Sequence, residues 1–485
     1  MNPAQQEACQ AIMTSFKEKN VCLLHGVTSS GKTEIYIHLI QQVLKAGKQV
    51  LYLLPEIALT TQITERLKRV FGNRLGIYHS KFPDAERVEI WQKQLKSEPY
   101  DIIVGVRSSI FLPFQNLGLV IVDEEHENTY KQQDPAPRYH ARNAAIMLAS
   151  LYKAKTLLGT ATPSVESYYN ALQGKYGLVE LTERYKDIQL PEIQVVDIKE
   201  LMRKKIMKTP FSPQLLDEMR KALEQKEQVI LFQNRRGFAP MIECETCGWV
   251  PKCKNCDVSL TYHKGLNQLT CHYCGATYPV PRSCPACGEV ELKNRGFGTE
   301  KIEDDIQLVF PEAKIARMDL DTTRTRTAYE RIISDFQEGK TDILIGTQMV
   351  SKGLDFDHVS VVGILDADTM LTFPDFRAHE RAFQLMAQVA GRAGRKNKRG
   401  LVVLQTRSID LPVIRQVVEN DYRELYNEQL QDRQKYHYPP FHRLIYVYLK
   451  HRKEDILNSA AEIMASQLQT GLGERVLGPV KPPVG

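Results

Sequence analysis

The sequence predicts an α/β protein with two lobes, each built on a mostly parallel sheet, and a cysteine-rich insertion in the second lobe. Three observations carry this. Short apolar runs alternate with longer amphipathic stretches along most of the chain. A glycine-rich GVTSSGKT, Gly26 to Thr33, follows the first apolar run. Eight of the ten cysteines fall between Cys244 and Cys287 as four C-x-x-C pairs.

Taken in order, VCLLHG, VLYLLP, DIIVGV, LGLVIVDEE and KTLLGTAT read as buried strands, each followed by helical sequence. They define a first lobe over residues 1–190. Alternation weakens between Glu183 and Thr209, and the charged KELMRKKIMK (Lys199 to Lys208) reads as a solvated linker. QVILFQNRRG, ARMDLD, TDILIGTQ, VSVVGILDAD and GLVVLQT then supply strands for a second lobe over 191–407, interrupted by the cysteine block at 240–292. From 408 to 485 an amphipathic helix, a strand-like LIYVYLK and a Pro/Gly-rich LGPVKPPVG suggest a partial α+β C-terminal domain.

Composition sets bounds. The 485 residues suffice for several domains, and 42% hydrophobic with 25% charged residues is ordinary for a globular protein. A net charge of +6 permits nucleic-acid contact without demanding it. No apolar run approaches the ~18–20 residues of a membrane span, and MNPAQQEACQ lacks secretory character. The expectation is a cytoplasmic protein in a reducing compartment, where C-x-x-C pairs favour metal or redox chemistry over structural disulfides. The isolated Cys9 and Cys22 read as buried, inert thiols.

The chemistry starts at G-x-x-x-x-G-K-T. Backbone N–H groups of Gly26, Val27, Thr28, Ser29, Ser30 and Gly31, with a helix N-terminus, can cradle phosphate. Lys32 would neutralise β/γ-phosphate charge and Thr33 would bind Mg²⁺. An acidic pair ends the apolar strand of IVDEEH, a costly place for carboxylates without a cation. Asp123 is the candidate Mg²⁺ holder, and Glu124 the candidate for polarising the attacking water. In QVAGRAGR, Arg392 and Arg395 lie three apart and would reach the γ-phosphate across a cleft.

Cys244/Cys247, Cys253/Cys256, Cys271/Cys274 and Cys284/Cys287 supply thiolates for two tetrahedral Zn²⁺ sites. Four thiolates per ion leave no open position, so the zinc reads as structural. Only five residues separate Cys247 from Cys253, which strains sequential pairing; crossed and nested pairings both remain open. Lys252, Lys254, Lys264, Arg282 and Tyr262 offer a DNA- or partner-facing surface, or simply a solvated one.

GVTSSGKTEIY, LLPEIALT, GVRSSIF, VDEEHENTYKQQ, GTATPS, QNRRGFAP, RGFGTEK, GTQMVSKGLDF and QVAGRAGR occur in the order of superfamily 2 helicases. With the cysteine block between QNRRGFAP and RGFGTEK, the chain resembles the PriA family, bacterial primosomal replication-restart helicases. The resemblance implies two RecA-like lobes and a 3′→5′ DNA helicase that uses ATP, Mg²⁺ and two Zn²⁺. It implies that Gln5 reads the adenine edge and that Gly353 and Asp355 approach the nucleotide from the second lobe. Thr160 and Thr162 would couple hydrolysis to lobe movement, and Arg107, Ser108, Arg235 and Arg236 would line the strand. It further implies nested zinc sites: Cys244, Cys247, Cys284 and Cys287 on one ion, Cys253, Cys256, Cys271 and Cys274 on the other.

The implied partners are single-stranded and forked DNA, primosome and helicase-loading proteins and single-stranded DNA-binding protein, met by a nucleoid-associated monomer away from membranes. The family carries DNA-binding lobes ahead of its motor and a C-terminal domain running further, so the sequence reads as a fragment. The KQQDPAPRYHARN stretch has proline where the family's loop has an aromatic residue, leaving Tyr130, Tyr139 and His140 for stacking. The competing readings are a translocase that does not unwind and a zinc-dependent primosome scaffold.

Overall fold

The structure is a computed structural model. It describes residues 1–55, 61–79, 82–182, 190–207, 209–233, 241–244, 251, 254, 260–263, 267–270, 276–288, 290, 292–295, 299–319, 322–323, 325–350, 356–371, 375–394 and 399–479.

Helix α1 (Pro3–Glu18) opens on a capping box, in which Gln5 N donates to the Asn2 side chain and Asn2 N to Gln5 Oε1. The first lobe continues with β1 (Val21–Gly26), α2 (Lys32–Lys45), β2 (Gln49–Leu53), α3 (Thr61–Phe71), β3 (Leu75–Tyr78), α4 (Asp84–Leu95) and β4 (Ile102–Gly105). It closes with β5 (Leu117–Asp123), α5 (Ala141–Leu151), β6 (Lys155–Thr160), α6 (Val165–Leu172) and β7 (Gly177–Leu181). The seven strands form one sheet in the order β3-β4-β2-β5-β6-β1-β7, parallel throughout.

A sheet covered on both faces needs strands apolar on both sides. Leu23, Leu24, Leu51, Tyr52, Ile103, Val104, Val120, Ile121, Leu157 and Leu158 are accordingly buried. Each such aliphatic side chain contributes roughly 1.5–3 kcal/mol on burial.

The second lobe starts with β8 (Glu192–Asp197), α7 (Ile198–Arg203), α8 (Pro213–Glu224) and β9 (Gln228–Phe232). The cysteine-rich stretch follows, with β10 (Met241–Cys244), β11 (Thr261–His263), β12 (Gln268–Thr270), β13 (Thr277–Pro279) and β14 (Leu292–Arg295). The lobe resumes through α9 (Thr299–Val309), β15 (Ile315–Met318), α10 (Arg326–Gln337), β16 (Ile343–Gly346), β17 (Val359–Ile364), α11 (Asp368–Leu371), α12 (Ala378–Ala390) and β18 (Leu401–Thr406). Its sheet, β15-β16-β9-β17-β18-β8, is also wholly parallel. The chain ends with α13 (Pro412–Glu419), α14 (Tyr422–Lys435) and α15 (Glu454–Leu472).

Four strand assignments depart from the sequence reading. The stretch of weakened alternation contains β8, an edge strand of EIQVVD whose partial burial blurs the apolar signal, and α7 occupies the start of the expected linker. β3 and β7 are edge strands that the alternation did not reveal. LIYVYLK pairs with no strand among the described residues; Ile445 and Tyr448 are exposed, and without a neighbouring edge alternation alone makes no ladder.

By contact, residues 1–234 and 302–436 form one compact unit holding both lobes and α14; residues 235–301 with 437–485 form another. In the latter, β10 and β14 make an antiparallel ribbon, and β11-β12-β13 an antiparallel sheet, with Ile242, Leu260 and Leu269 buried together. Among the described residues this cluster is small for a stretch of that length.

Candidate active site

β1 delivers the chain to the phosphate loop. Gly31 caps α2 at φ +85°, and a Cβ there would lie 2.2 Å from Gln5 Nε2, so glycine is required on both counts. Val27 N donates to Leu181 O and Ser30 N to Val27 O, shaping Gly26–Gly31 into a hollow at the start of α2. Lys32 crosses the loop, its Nζ donating to Gly26 O at 2.8 Å, with Thr33 next on the same turn. Gln5 is buried against the loop and donates through Nε2 to Ser30 O at 3.0 Å.

β5 brings the acidic pair to the same sheet edge. The Asp123 carboxylate accepts from Tyr36 Oη at 2.9 Å, Tyr52 Oη at 3.2 Å and Glu124 N at 3.1 Å. Tyr130 Oη fixes the adjacent backbone, donating to Asp123 O and Leu53 O. Gly159 leaves the space for one of these phenols: a Cβ there would sit 1.8 Å from Tyr36 Oη. Burial pushes the Asp123 carboxyl up to about 6 and Glu124 adds to this, while Lys32 and the Tyr36 hydrogen bond favour ionisation. Glu124 sits at φ +48°, left-handed for a non-glycine residue, the kind of strain that functional sites hold.

The rest of the box faces the second lobe. Gln388 on α12 approaches Glu124 Oε2 at 3.3 Å and His126 Nε2 at 2.9 Å. If Nε2 accepts from Gln388, Nδ1–H donates to Thr160 Oγ1, 2.7 Å away; this tautomer follows from the network. Thr160 Oγ1 also accepts from Thr162 N. Glu125, fully buried, accepts from Ser164 N, Ser164 Oγ, Ser167 Oγ and Arg142 Nη1, which sets the end of GTATPS against the box.

Arg392 follows α12. Burial pushes its guanidinium down to about 10, with Glu124 and then Tyr329 favouring the charge. Gly391 touches the phosphate loop, for a Cβ there would stand 3.0 Å from Thr28 Cγ2. A cavity of about 50 Å³ at this junction is lined by Thr28, Thr162, Ala387 and Gly391 among others. The structure thus brings Lys32, Asp123, Glu124 and Arg392 to one cleft.

Arg395, Gly353, Asp355, Arg235 and Arg236 lie outside the described residues. Arg107 donates to Thr129 O at 3.2 Å, and Ser108 beside it is half-buried. Of the aromatic candidates, Tyr130 is a correction: it is 1% exposed and hydrogen-bonded behind the acidic box, so it cannot stack on a base. Tyr139 meets the exposed Phe111 edge-on at 5.0 Å. Burial, then Arg142, lowers the His140 imidazole to about 3, which keeps it neutral. Cys9 and Cys22 are buried as expected, and burial raises the Cys22 thiol to about 11.

In the cysteine-rich region, Gly288 N donates to Cys284 O at 2.8 Å and Gly288 is left-handed at φ +82°, closing the turn that carries Cys284 and Cys287. Such a turn of thiols suits Zn²⁺, as oxygen donors at Asp123 and Thr33 suit Mg²⁺. Cys244 ends β10, while Cys247, Cys253, Cys256, Cys271 and Cys274 lie outside the described residues.

Sequence reasoning missed Tyr36, Tyr52, Glu125, Arg142 and Gln388. Gln388 alone left a signal, heading QVAGRAGR four residues before Arg392.

The DEAD/DEAH box helicase family matches residues 2–171, and the helicase conserved C-terminal domain matches 298–397. Between them, residues 253–279 match the PriA DNA helicase Cys-rich region (CRR) domain. Replication restart protein PriA of Treponema pallidum is 40% identical over 98% of this chain and 71% of its own length. That of Rickettsia conorii is 40% identical over 98% of this chain and 72% of its own length. The chain belongs to the PriA family. The Bacillus subtilis PriA is 42% identical over 96% of the chain, which spans only 58% of that relative's length.

Two solved structures are similar in fold alone. RecG bound to a three-way DNA junction has TM-score 0.50 and 17% identity, covering 89% of this chain and 46% of its own. Helicase MrfA bound to DNA has TM-score 0.52 and 15% identity, covering 88% and 51%. The helicase matches imply ATP and Mg²⁺ use, and the Cys-rich match points to zinc. No described helix is long and apolar enough to cross a membrane.

Proposed function

We propose that the chain is an ATP-driven 3′→5′ DNA helicase that acts at stalled or branched replication forks, unwinds DNA and helps reload the replisome. The supporting observation is the meeting of Glu124, beside Asp123 and Lys32 on the first lobe, with Gln388 and Arg392 on the second. Mg²⁺, when bound, would neutralise developing phosphate charge. Lys32 and the loop N–H groups would bind the β/γ-phosphates, and Thr33 and Asp123 would hold the ion.

Glu124 orients the attacking water and takes its proton, held by Gln388 Nε2. Arg392 and Arg395 complete the charge around the γ-phosphate. Loss of that phosphate removes what draws the lobes together, and His126–Thr160–Thr162 carries the change to GTATPS. Gln5, which gives one amide hydrogen to Ser30 O, has a second for the adenine edge. Gly353 and Asp355 approach from the second lobe.

The strand is gripped mainly through phosphate contacts, independent of sequence and sensitive to salt. We assign Arg107, Ser108, Arg235 and Arg236 to that grip. We assign the domains as lobes at 1–190 and 191–407, a zinc insertion at 240–292 and a C-terminal part from 408. For the two Zn²⁺ we favour nested pairing. Antiparallel β10 and β14 bring Cys244 opposite Leu292, and β11 and β12 pair Thr261 with Thr270, so segments distant in sequence return to each other, as nesting requires. Partners are single-stranded and forked DNA, helicase-loading proteins and single-stranded DNA-binding protein, met in the cytoplasm by a monomer.

Lys32→Ala should abolish ATP hydrolysis stimulated by single-stranded DNA while bound zinc, measured by metal analysis, stays at the parent level. Parent turnover in that variant rejects the site.

A further inference from the structure

Arg433 is a guanidinium 1% exposed near the end of α14, and it joins the two lobes. Its Nη2 lies 2.6 Å from Glu380 Oε2 on α12 of the second lobe, and its Nη1 lies 3.3 Å from Glu166 Oε1 on α6 of the first. Glu166 also takes Arg377 Nη2 at 2.6 Å, so two carboxylates and two guanidiniums balance in charge. Glu380 reaches across as well: its Oε1 accepts from Val165 N, the first residue of α6, at 2.9 Å.

Glu380 begins a ladder. Glu380, Gln384, Gln388 and Arg392 recur every four residues, which keeps them along one side of α12 and its extension. Gln384 Nε2 lies 3.4 Å from Thr162 O and 3.3 Å from Pro163 O, Gln388 meets Glu124 and His126, and Arg392 ends at the phosphate site. The rungs face GTATPS, the start of α6 that follows it, or the acidic box, and Arg433 grips the rung farthest from the phosphate.

The same face of α14 touches the other side of the site. Tyr422, Leu425, Tyr426, Gln429 and Arg433 form its buried stripe. Tyr422 packs edge-on at 5.3 Å against His25, the residue before Gly26, and at 5.2 Å against Tyr168 on α6. Phe383 on α12 is 6.1 Å from the same ring. α14 therefore bears at once on the root of the phosphate loop and on the helix carrying Gln388.

We propose that α14 is an alignment clamp for the two lobes and that Arg433 is its positioning residue, fixing α12 in the register that puts Arg392 at the phosphates. This rests on the ATP-engine reading above. Burial opposes the Glu166 carboxylate, but Arg377 and then Arg433 hold it down at about 2, so Glu166 is ionised at neutral pH. The clamp acts on turnover, because nucleotide binding belongs to the phosphate loop, which α14 does not line.

Removing Arg433 alone would strand buried carboxylates and destabilise the fold, so the test removes the pair. In Arg433→Met/Glu380→Gln the new amide oxygen can still accept from Val165 N, and Glu166 keeps Arg377. With Mg-ATP and single-stranded DNA, the double variant should melt within about 3 °C of the parent, hold KM for ATP within about threefold and lose at least about tenfold in kcat. Parent kcat in that folded variant overturns the clamp. Should the double variant unfold, Arg433→Lys decides. One ammonium cannot reproduce the two-pronged bridge, so kcat should fall severalfold at unchanged KM. Unchanged kcat in Arg433→Lys overturns the proposal equally. Absence of hydrolysis by the parent chain, measured first, would instead reject the engine reading on which the clamp rests.

Discussion

Glu124→Gln should lower DNA-stimulated ATP turnover by about 10³-fold while nucleotide still binds. The amide keeps the shape of the side chain and can still meet Gln388, but it cannot take a proton from water. General-base assistance contributes about 10²–10⁴-fold, and the chain places one carboxylate where that base must stand. Asp123 is already committed to Tyr36, Tyr52 and the Glu124 N–H, and Glu125 to Ser164, Ser167 and Arg142. Glu124 faces the second lobe. Turnover and fluorescent-nucleotide affinity, measured side by side, check this. A variant retaining a tenth or more of parent turnover would move the base elsewhere.

The second large effect is expected in the cysteine-rich region. Chelating zinc should unfold residues 235–301 and leave the lobes folded. Structural zinc supplies about 10–16 kcal/mol of binding energy in small domains, whereas among the described residues the apolar core here is Ile242, Leu260 and Leu269 with partly buried neighbours. The lobes have large cores of their own and form a separate compact unit with α14. Hydrogen exchange with and without chelator should show protection lost over 241–295 and kept over β1, β5, β9 and β17. Metal analysis should return two Zn²⁺ per chain before chelation. Protection unchanged in the cysteine-rich region after complete zinc removal would contradict a structural role.

Much of this was legible because local rules carried it. Parallel strands covered on both faces must be apolar throughout, so β1, β2, β4, β5 and β6 announce themselves, as do β9, β16, β17 and β18; β15 is an edge strand of partial burial that ARMDLD nonetheless signals. The phosphate loop and acidic box are short and contiguous, and their chemistry forces the residue types. Edge strands β3, β7 and β8 escaped because an edge buries less, and LIYVYLK misled because alternation names no partner. The supports of the site were illegible for a different reason. Tyr36 meets Asp123 across 87 residues, and Val165 meets Glu380 across 215, separations set by topology alone. Gly159 shows the limit well: as a residue type it is unremarked, yet its missing Cβ is the space that Tyr36 Oη occupies.

The most direct test of the two-lobed clamp is the turnover of Arg392→Ala with Mg-ATP and single-stranded DNA, set against its nucleotide affinity. Arginines at the γ-phosphate contribute about 10³-fold or more to turnover. The clamp predicts a loss of that order, with affinity for nucleotide close to that of the parent chain. Turnover preserved in Arg392→Ala would mean that Arg392 supplies no charge there, and the account of a nucleotide held between both lobes through this residue would fail.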